Sequence, residues 1–345
     1  MSKHSSIDIA RRCACSPMAV GATIELSRLA YVRDAGLDSS KACLAGTRMK
    51  TLEDLSGWIN GTASPQVRFL FGGAGTGKSA VAHSIGERFE SLGRLGSFFQ
   101  FDRTAQRERP LASVIRTIAN DLANWSPDFR RALAKVLHDK GYLVGSIDIA
   151  KQWEGLILEP LKDIAFVGPV LVVLDAFDES SSMDAPLRHQ LLRSLTEGSK
   201  QLPPNFRLLI TSRPEHDVMS AVDGPVQDIP HISHMLLDNN KEEATTDIEL
   251  YVRHQLTSDG PESRGALGDE DYRLLSAKAE GLFQWAATAC RSILEKPAGR
   301  TLKERWALFC EEGHLPLTTS TEESDRKSTR LNSSHSGESR MPSSA

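Results

Sequence analysis

The sequence lacks an apolar run long enough to cross a bilayer. A transmembrane helix needs about 20 consecutive apolar residues, and charged or polar residues interrupt every apolar stretch of this 345-residue chain well before that length. No secretory leader is recognisable near the amino end either. We therefore expect a cytoplasmic protein with no membrane partner.

Cysteine is scarce, and the cysteines show no metal-site spacing. The five are Cys13, Cys15, Cys43, Cys290 and Cys310. They are odd in number and scattered, without a C-x-x-C pair, so we predict reduced thiols rather than a disulfide framework or a zinc site.

A basic excess is also missing. The formal net charge is -4, whereas proteins that bind nucleic-acid phosphates usually carry a basic patch or stripe. Nucleic acid is therefore an unexpected partner. The 40% hydrophobic and 25% charged residues are ordinary values for a globular chain.

The carboxyl-terminal tail, residues 321–345, is predicted to be disordered. From residue 325 onward it is rich in serine and arginine and nearly free of apolar residues. Residues 325–345 also back-translate into what looks like a short-read sequencing adapter. We interpret them as an artefact, exclude them from fold reasoning, and expect the native carboxyl terminus to be missing.

The strongest chemical signal is a glycine-rich phosphate-binding pattern, G-x-x-x-x-G-K-S. It comprises Gly72, Gly73, Ala74, Gly75, Thr76, Gly77, Lys78 and Ser79. A β-prone apolar run (67–71) precedes it and a helical pattern (79–92) follows, so backbone N–H groups and a helix N-terminus can surround phosphates. We predict that this loop binds a nucleotide, with Lys78 at the β- and γ-phosphates and Ser79 at Mg²⁺. The alternative is a chance match in a glycine-rich loop.

A second acidic element follows a buried strand. The continuous apolar run 169–174 is typical of a strand buried on both faces of a parallel sheet. It ends at Asp175, with Asp178 and Glu179 close behind, where open α/β sheets place their ligands. We predict that Asp175 binds Mg²⁺, directly or through water, and that Asp178 or Glu179 polarises the attacking water. The alternative is an acidic cap on a helix at 185–195.

A third strand, predicted at 206–210, leads into Thr-Ser-Arg-Pro. Its arginine, Arg213, falls at the same predicted sheet edge, where a cation could contact the γ-phosphate or stabilise transition-state charge. The alternative is a surface or helix-capping arginine.

Strands and helices alternate up to about residue 230, which predicts an α/β fold with a parallel sheet flanked by helices. Beyond residue 230 the pattern is interpreted as wholly helical, like a small lid domain. Pro160 is expected to kink or split a helix at 153–164. The predicted division is an amino-terminal segment (1–40), a P-loop NTPase core (41–230), a helical lid region (231–320) and the tail.

Taken together, these motifs resemble the NACHT family of STAND P-loop NTPases, particularly its fungal and nephrocystin-type branch. The likeness covers about residues 40–317. It also includes four segments outside the three motifs: 43–48, 97–99, 117–119 and 281–286.

The resemblance implies a nucleotide-operated signalling switch, as in NOD-like receptors. In such proteins a carboxyl-terminal repeat array senses a ligand and an amino-terminal domain signals, and the resemblance leads us to expect that this sequence corresponds to the middle. It implies Lys78, Ser79, Asp175 and Arg213 at the triphosphate and 281–285 near the base, although Phe283 stands where many relatives have proline. Bound ATP or GTP, slow Mg²⁺-dependent hydrolysis, self-association on activation and a protein effector are the corresponding expectations.

Two other function classes remain open. One is a nucleotide-binding scaffold without useful hydrolysis, in which contact with a partner protein is the function. The other is a different P-loop enzyme, such as a small-molecule kinase or a DNA-dependent ATPase. That enzyme would need a substrate pocket or a basic channel, and the sequence shows neither.

Overall fold

The computed structural model describes most of the chain between residues 31 and 311. The described ranges are 31–32, 34–105, 107–180, 184–222, 231–237, 241–258, 266–295 and 299–311, with Leu26 and Leu29 in addition. The predictions for the carboxyl-terminal tail, and those for Cys13 and Cys15, lie outside the described residues.

Five strands form one parallel sheet in the order β2-β3-β4-β1-β5. They are β1 (Val67–Phe71), β2 (Leu95–Gln100), β3 (Val170–Asp175), β4 (Phe206–Ser212) and β5 (Ile232–Leu236). Every residue of β3 and β4 is buried, as expected for inner strands covered on both faces. The predicted α/β fold with a parallel sheet is confirmed.

Helices cover both faces of this sheet. They are α1 (Met49–Asn60), α2 (Lys78–Ser91), α3 (Val114–Trp125), α4 (Pro127–Asp139), α5 (149–161), α6 (Ala185–Thr196) and α7 (His216–Val222). Short 3-10 helices lie at Ser39–Lys41, Leu111–Ser113, Gly141–Gly145, Phe177–Ser180 and Gly198–Gln201.

Two apolar clusters follow from the two-residue repeat of a strand. Leu171 and Val173 of β3 face a cluster with α1 and α2. Val170, Val172 and Leu174 face the larger cluster, to which α3, α4, α5 and α6 contribute. The central strands therefore lie between two packed layers.

Helix α5 passes through Pro160 without breaking. It consists of a turn (Ile149–Gln152), a π-helical segment (Trp153–Leu158) and a final turn (Glu159–Leu161). Proline lacks the N–H that an α-helix needs and its ring clashes with the preceding turn. The widened turn before Pro160, in which the Glu159 N–H donates to the Glu154 carbonyl, accommodates it. The expected kink is thus replaced by a π-helical turn.

The carboxyl-terminal part is helical and has its own core. Its helices are α8 (Lys241–Thr257), α9 (Asp269–Lys278), α10 (Phe283–Leu294) and α11 (Leu302–Glu311). Buried residues such as Ile248, Leu275 and Ile293 form one cluster between them. We call α8 to α11 the lid helices.

One sequence prediction about this region is wrong. The chain does not become helical directly after residue 230, because Ile232–Leu236 forms β5 and pairs in parallel with β1. Among the described residues, none of the helices combines the length and the apolar character needed to span a membrane.

Gly96 offers a test of close packing at β2. A Cβ atom there would lie 2.8 Å from Leu122 Cδ2 and 3.0 Å from Val170 Cγ1, whereas one at Gly57 in α1 would meet nothing within 4 Å. We expect Gly96→Ala to lower the free energy of unfolding by about 1–3 kcal/mol through overpacking. Gly57→Ala should raise it by about 0.5–1 kcal/mol, since alanine favours helix. Urea denaturation measures both, and equal effects would contradict the packing at β2.

Asp121 on α3 offers a pH test. Burial raises the pKa of its carboxyl group to about 6, although hydrogen bonds from Ser97 and Asn120 oppose the rise. The Ser97 hydroxyl donates to Asp121 Oδ2 at 2.6 Å. The folded state therefore favours the protonated acid, and this stabilisation is complete below the unfolded pKa near 4 and disappears as the pH rises through about 6.

We expect Asp121→Asn to gain stability over the native protein as the pH rises from 4 to 7. The gain should be on the order of 2 kcal/mol, because one pKa unit corresponds to about 1.4 kcal/mol. Thermal unfolding at several pH values measures it, with exposed Asp139→Asn as the control. A difference that does not change with pH would show that Asp121 titrates alike in the folded and unfolded chains.

Candidate functional site

The predicted motifs meet at one edge of the sheet. Strands β1, β3 and β4 are parallel, so the segments that follow them leave the sheet on the same side. A cavity of about 770 Å³ lies there. Of the predicted site residues, those that line it are Ala74, Gly75, Gly77, Lys78, Ser79, Asp178, Glu179 and Arg213.

The glycine-rich loop joins β1 to α2, as the sequence predicts. Gly75 and Gly77 have φ values of 76° and 94°, in the left-handed region that glycine adopts without steric cost. Helix α2 begins at Lys78, so its first N–H groups point toward the loop. The geometry is that of an anion-binding helix N-terminus behind a glycine turn.

Within this loop the lysine bonds to the loop itself. Lys78 Nζ donates to the carbonyl oxygens of Gly72 and Gly73, both at 2.8 Å. The Thr76 hydroxyl also donates to the Gly73 carbonyl at 3.0 Å. A phosphate that binds Lys78 would therefore replace the backbone carbonyls of Gly72 and Gly73 as the hydrogen-bond acceptors of its ammonium group.

Asp175 lies deeper than the other predicted residues. It is fully buried and does not line the cavity, although the next residue, Ala176, does. Its Oδ1 accepts a hydrogen bond from the Thr211 hydroxyl at 2.6 Å, and its Oδ2 accepts one from Gln100 Nε2 at 3.1 Å. Its carboxyl group is thus fixed by two neutral donors from neighbouring strands.

Asp178 and Arg213 form a pair at the cavity wall. Arg213 Nε lies 3.0 Å from Asp178 Oδ2, and the Arg213 backbone N–H donates to Asp178 Oδ1 at 3.2 Å. The aspartate side chain is 6% exposed and the arginine side chain 41% exposed. The arginine can therefore turn toward a ligand while the aspartate stays within the wall.

Glu179 is a half-buried carboxylate at the cavity wall. Its Oε2 accepts a hydrogen bond from the Arg103 backbone N–H at 2.9 Å. Burial raises the pKa of its carboxyl group, and the nearby charges of Asp178 and Asp102 add to the rise, while the Arg103 hydrogen bond opposes it. A half-buried carboxylate with a raised pKa beside a cavity is the kind of group that accepts protons in catalysis.

The alternative of an acidic helix cap does not describe Asp178 and Glu179. They belong to a separate 3-10 helix, Phe177–Ser180. The N-cap of α6 is Asp184, whose Oδ1 accepts from the Leu187 N–H at 3.1 Å.

The lid helices complete the cavity from the opposite side. Tyr251 and Gln255 of α8 and Phe283 and Gln284 of α10 line it. The Gln284 backbone N–H donates to the Gly75 carbonyl at 3.1 Å, so α10 begins directly on the glycine-rich loop. Part of the 281–285 segment, which the resemblance places near the base, thus reaches the cavity. Trp285 packs against the lid core.

Arg188 is a supporting residue that sequence reasoning missed. Its buried guanidinium bonds to the Ser180 hydroxyl at 3.0 Å, to Glu215 at 2.7 Å and to Asp217. It also lies 5.0 Å from the centroid of the Phe177 ring. It therefore connects the turn that bears Asp178 and Glu179 to the segment that follows Arg213. An arginine among the apolar positions of α6 was the only signal in the sequence.

We expect Arg188→Met to lower the free energy of unfolding by about 2 kcal/mol, because Glu215 and Asp217 would lose a shared, largely buried partner. Arg193→Met on the same helix is the matched control. Its side chain is 77% exposed and lies 3.8 Å from Glu197, so its removal should cost less than about 0.5 kcal/mol. Chemical denaturation compares the two, and similar losses would show that the Arg188 cluster adds little.

Comparisons with known proteins agree with the motif. The family model described as Nephrocystin 3, N-terminal, matches residues 46–213. A search of curated proteins gave no significant match.

Three solved structures are similar to this chain at low identity. The Walker-type ATPase PABY2304 of Pyrococcus abyssi is 15% identical, with 82% of this chain and 76% of that chain covered and a TM-score of 0.48. The Aeropyrum pernix ORC2 protein, in ADPNP and ADP complexes, is 14% identical, with 81% and 71% covered and a TM-score of 0.44. A Drosophila ORC chain, from a complex with DNA, is 12% identical, with 90% and 69% covered and a TM-score of 0.44.

The glycine-rich loop lies between a sheet strand and a helix, in a parallel α/β sheet with an acidic turn at the same edge. The family-model match spans the same motifs. The chain is a P-loop NTPase by fold.

Proposed function

We propose that this protein is a nucleotide-operated switch of the NACHT type, which binds ATP or GTP with Mg²⁺ and hydrolyses it slowly. One observation carries the proposal: a single cavity is lined by the P-loop, the acidic turn, Arg213 and two lid helices. A nucleotide in this cavity would touch the core and the lid at once. Its presence could therefore change how the two pack, which is what a switch requires.

The oxygen donors around the cavity suit magnesium. Mg²⁺ prefers oxygen ligands and is usually held by one or two carboxylates together with substrate phosphates. The Ser79 hydroxyl and the Asp178 and Glu179 carboxylates line the cavity, and Asp175 lies just behind Ala176. Among the described residues, no group of three or more histidine, cysteine or acidic side chains has the arrangement of a metal site.

In this proposal Mg²⁺, when bound, would supply neutralisation of phosphate charge, and the side chains would position the reactants. Ser79 would hold the ion, and Asp175 would orient it directly or through water. Glu179 is better placed than Asp178 to polarise the attacking water, because Asp178 is bonded to Arg213. Arg213, whose side chain is 41% exposed, can reach the γ-phosphate.

A second reading is a nucleotide-binding scaffold without useful hydrolysis. The buried, doubly bonded Asp175 and the paired Asp178 favour it, since neither carboxylate is free to move onto a metal or a water without losing its partners. In that case nucleotide would stabilise a conformation that a protein effector or a second copy of the chain recognises.

The first experiment is equilibrium binding of Mg²⁺-ATP and Mg²⁺-GTP to the full chain. We expect one of them to bind, and Lys78→Ala to weaken binding at least about 100-fold, because the loop would lose its charge-assisted contact to the phosphates. Lys200→Ala, which changes an exposed lysine in the 3-10 helix Gly198–Gln201 away from the cavity lining, should bind as the native protein does. A folded native chain that binds neither nucleotide would refute the proposal.

Single-turnover hydrolysis with bound nucleotide separates the switch from the scaffold. We expect the double variant Asp178→Ala, Glu179→Ala to keep binding and to lose at least about 100-fold in turnover, the range of one positioned acid–base group. If the native chain and the double variant hydrolyse equally slowly, the scaffold reading is correct.

A further inference from the structure

Arg48 occupies an unusual place between the P-loop and the lid helices. It immediately precedes α1, is 4% exposed, and has a φ of 55°. The left-handed region is unfavourable for a residue other than glycine and costs on the order of 1 kcal/mol, so it persists only where surrounding contacts impose it. The contacts around Arg48 therefore hold its backbone in this conformation.

Three contacts connect Arg48 to both sides of the cavity. Its Nη2 donates to the Thr76 carbonyl of the P-loop at 2.8 Å. Its backbone N–H donates to Asp247 Oδ2 of α8 at 2.9 Å. Its guanidinium carbon lies 5.0 Å from the centroid of the Phe283 ring of α10. One buried residue thus bonds to the phosphate loop and to two lid helices.

The neighbouring loop carbonyl is held by the lid as well. The Gly75 carbonyl accepts the Gln284 N–H of α10, and a Cβ atom on Gly75 would lie only 2.8 Å from Gln284 Cβ. Two consecutive P-loop carbonyls, at Gly75 and Thr76, therefore bond to α10 and to Arg48. A movement of these two carbonyls would therefore be felt by α10 and by Arg48.

The chemistry of arginine suits this position. A guanidinium group is planar, donates in several fixed directions and stacks on an aromatic ring, so it can hold a carbonyl and a ring face together. A lysine ammonium is a point charge without that planar face.

We propose that Arg48 is a positioning residue that couples the state of the P-loop to the position of the lid helices. The inference rests on the proposed nucleotide binding for its role in a switch, while the coupling itself exists without ligand. Because coupling between two sites is reciprocal, lid contacts held by Arg48 also change the affinity of the P-loop for nucleotide.

Hydrogen–deuterium exchange on the full chain tests this proposal. The main variant is Arg48→Asn, because asparagine tolerates the left-handed backbone and lacks the guanidinium group. Arg48→Lys keeps the charge, and Arg131→Asn removes an exposed arginine of α4 that pairs with Asp128 as the matched control.

Without nucleotide, we expect Arg48→Asn to speed exchange in residues 283–290 at least about fivefold, the lower end of typical coupling between sites. Exchange in α11 and β3, which do not touch Arg48, should stay unchanged and so exclude general unfolding. Arg48→Lys should give a smaller change, and Arg131→Asn none. If Arg48→Asn unfolds the chain, Arg48→Lys alone decides. Exchange in 283–290 within twofold of native in the folded variant would overturn the proposal.

With saturating Mg²⁺-nucleotide, the native chain should exchange more slowly both in the P-loop and in residues 242–249 of α8. The latter segment bears Asp247 and does not line the cavity, so direct contact with ligand cannot explain its response. In Arg48→Asn the P-loop response should remain and the 242–249 response should fall at least about fivefold.

An undiminished 242–249 response in the variant would overturn the proposal. A native chain with no P-loop response at any nucleotide concentration would instead refute nucleotide binding. The ligand-free arm would then still decide whether Arg48 couples loop and lid.

Discussion

A buried carboxyl group needs hydrogen-bond partners, and the way Asp175 obtains them organises the whole site. Its partners come from the ends of the two strands beside β3, Thr211 from β4 and Gln100 from β2. The Thr211 hydroxyl also accepts the Ala176 N–H at 2.8 Å, so the chain turns out of β3 in a fixed direction. An arrangement that leaves a buried carboxyl group without hydrogen-bond partners is destabilised. The ends of β2, β3 and β4 therefore have to stay aligned, and this alignment sets where the acidic turn after β3 begins.

Local patterns predicted most of the core. The runs that form β1, β3 and β4 are continuous and apolar because both sheet faces are covered. The P-loop is recognisable in the sequence because its backbone conformation requires glycines. β5 was missed because it lies at the sheet edge and is half exposed, so Ile232–Leu236 shows no strong apolar run. This segment becomes a strand because it pairs with β1, and that pairing exists only in the folded sheet.

The sequence predicted the cavity-lining residues better than their partners. Lys78, Ser79, Asp178, Glu179 and Arg213 come together because they follow parallel strands. Which of them pair could not be predicted, since Arg48 reaches Asp247 across 199 residues and Arg188 reaches Glu215 across 27. Such contacts depend on how helices pack on the sheet, and neither spacing nor composition encodes that packing directly. The complete burial of Asp175 behind the cavity also depends on this packing and could not be predicted from the sequence.

The polar bonds already present in the cavity decide how a ligand can act on it. Lys78 bonds to loop carbonyls and Asp178 to Arg213, so a phosphate that entered the cavity would exchange existing bonds for new ones and gain only the difference. The net binding free energy therefore depends on the new partners of the displaced carbonyl and carboxylate groups. Carbonyls of Gly72 and Gly73 released by Lys78 lie just before Gly75 and Thr76, whose carbonyls hold the lid helix α10 and Arg48. A rearrangement that begins at the lysine would thus reach the lid through the five consecutive loop residues Gly72 to Thr76.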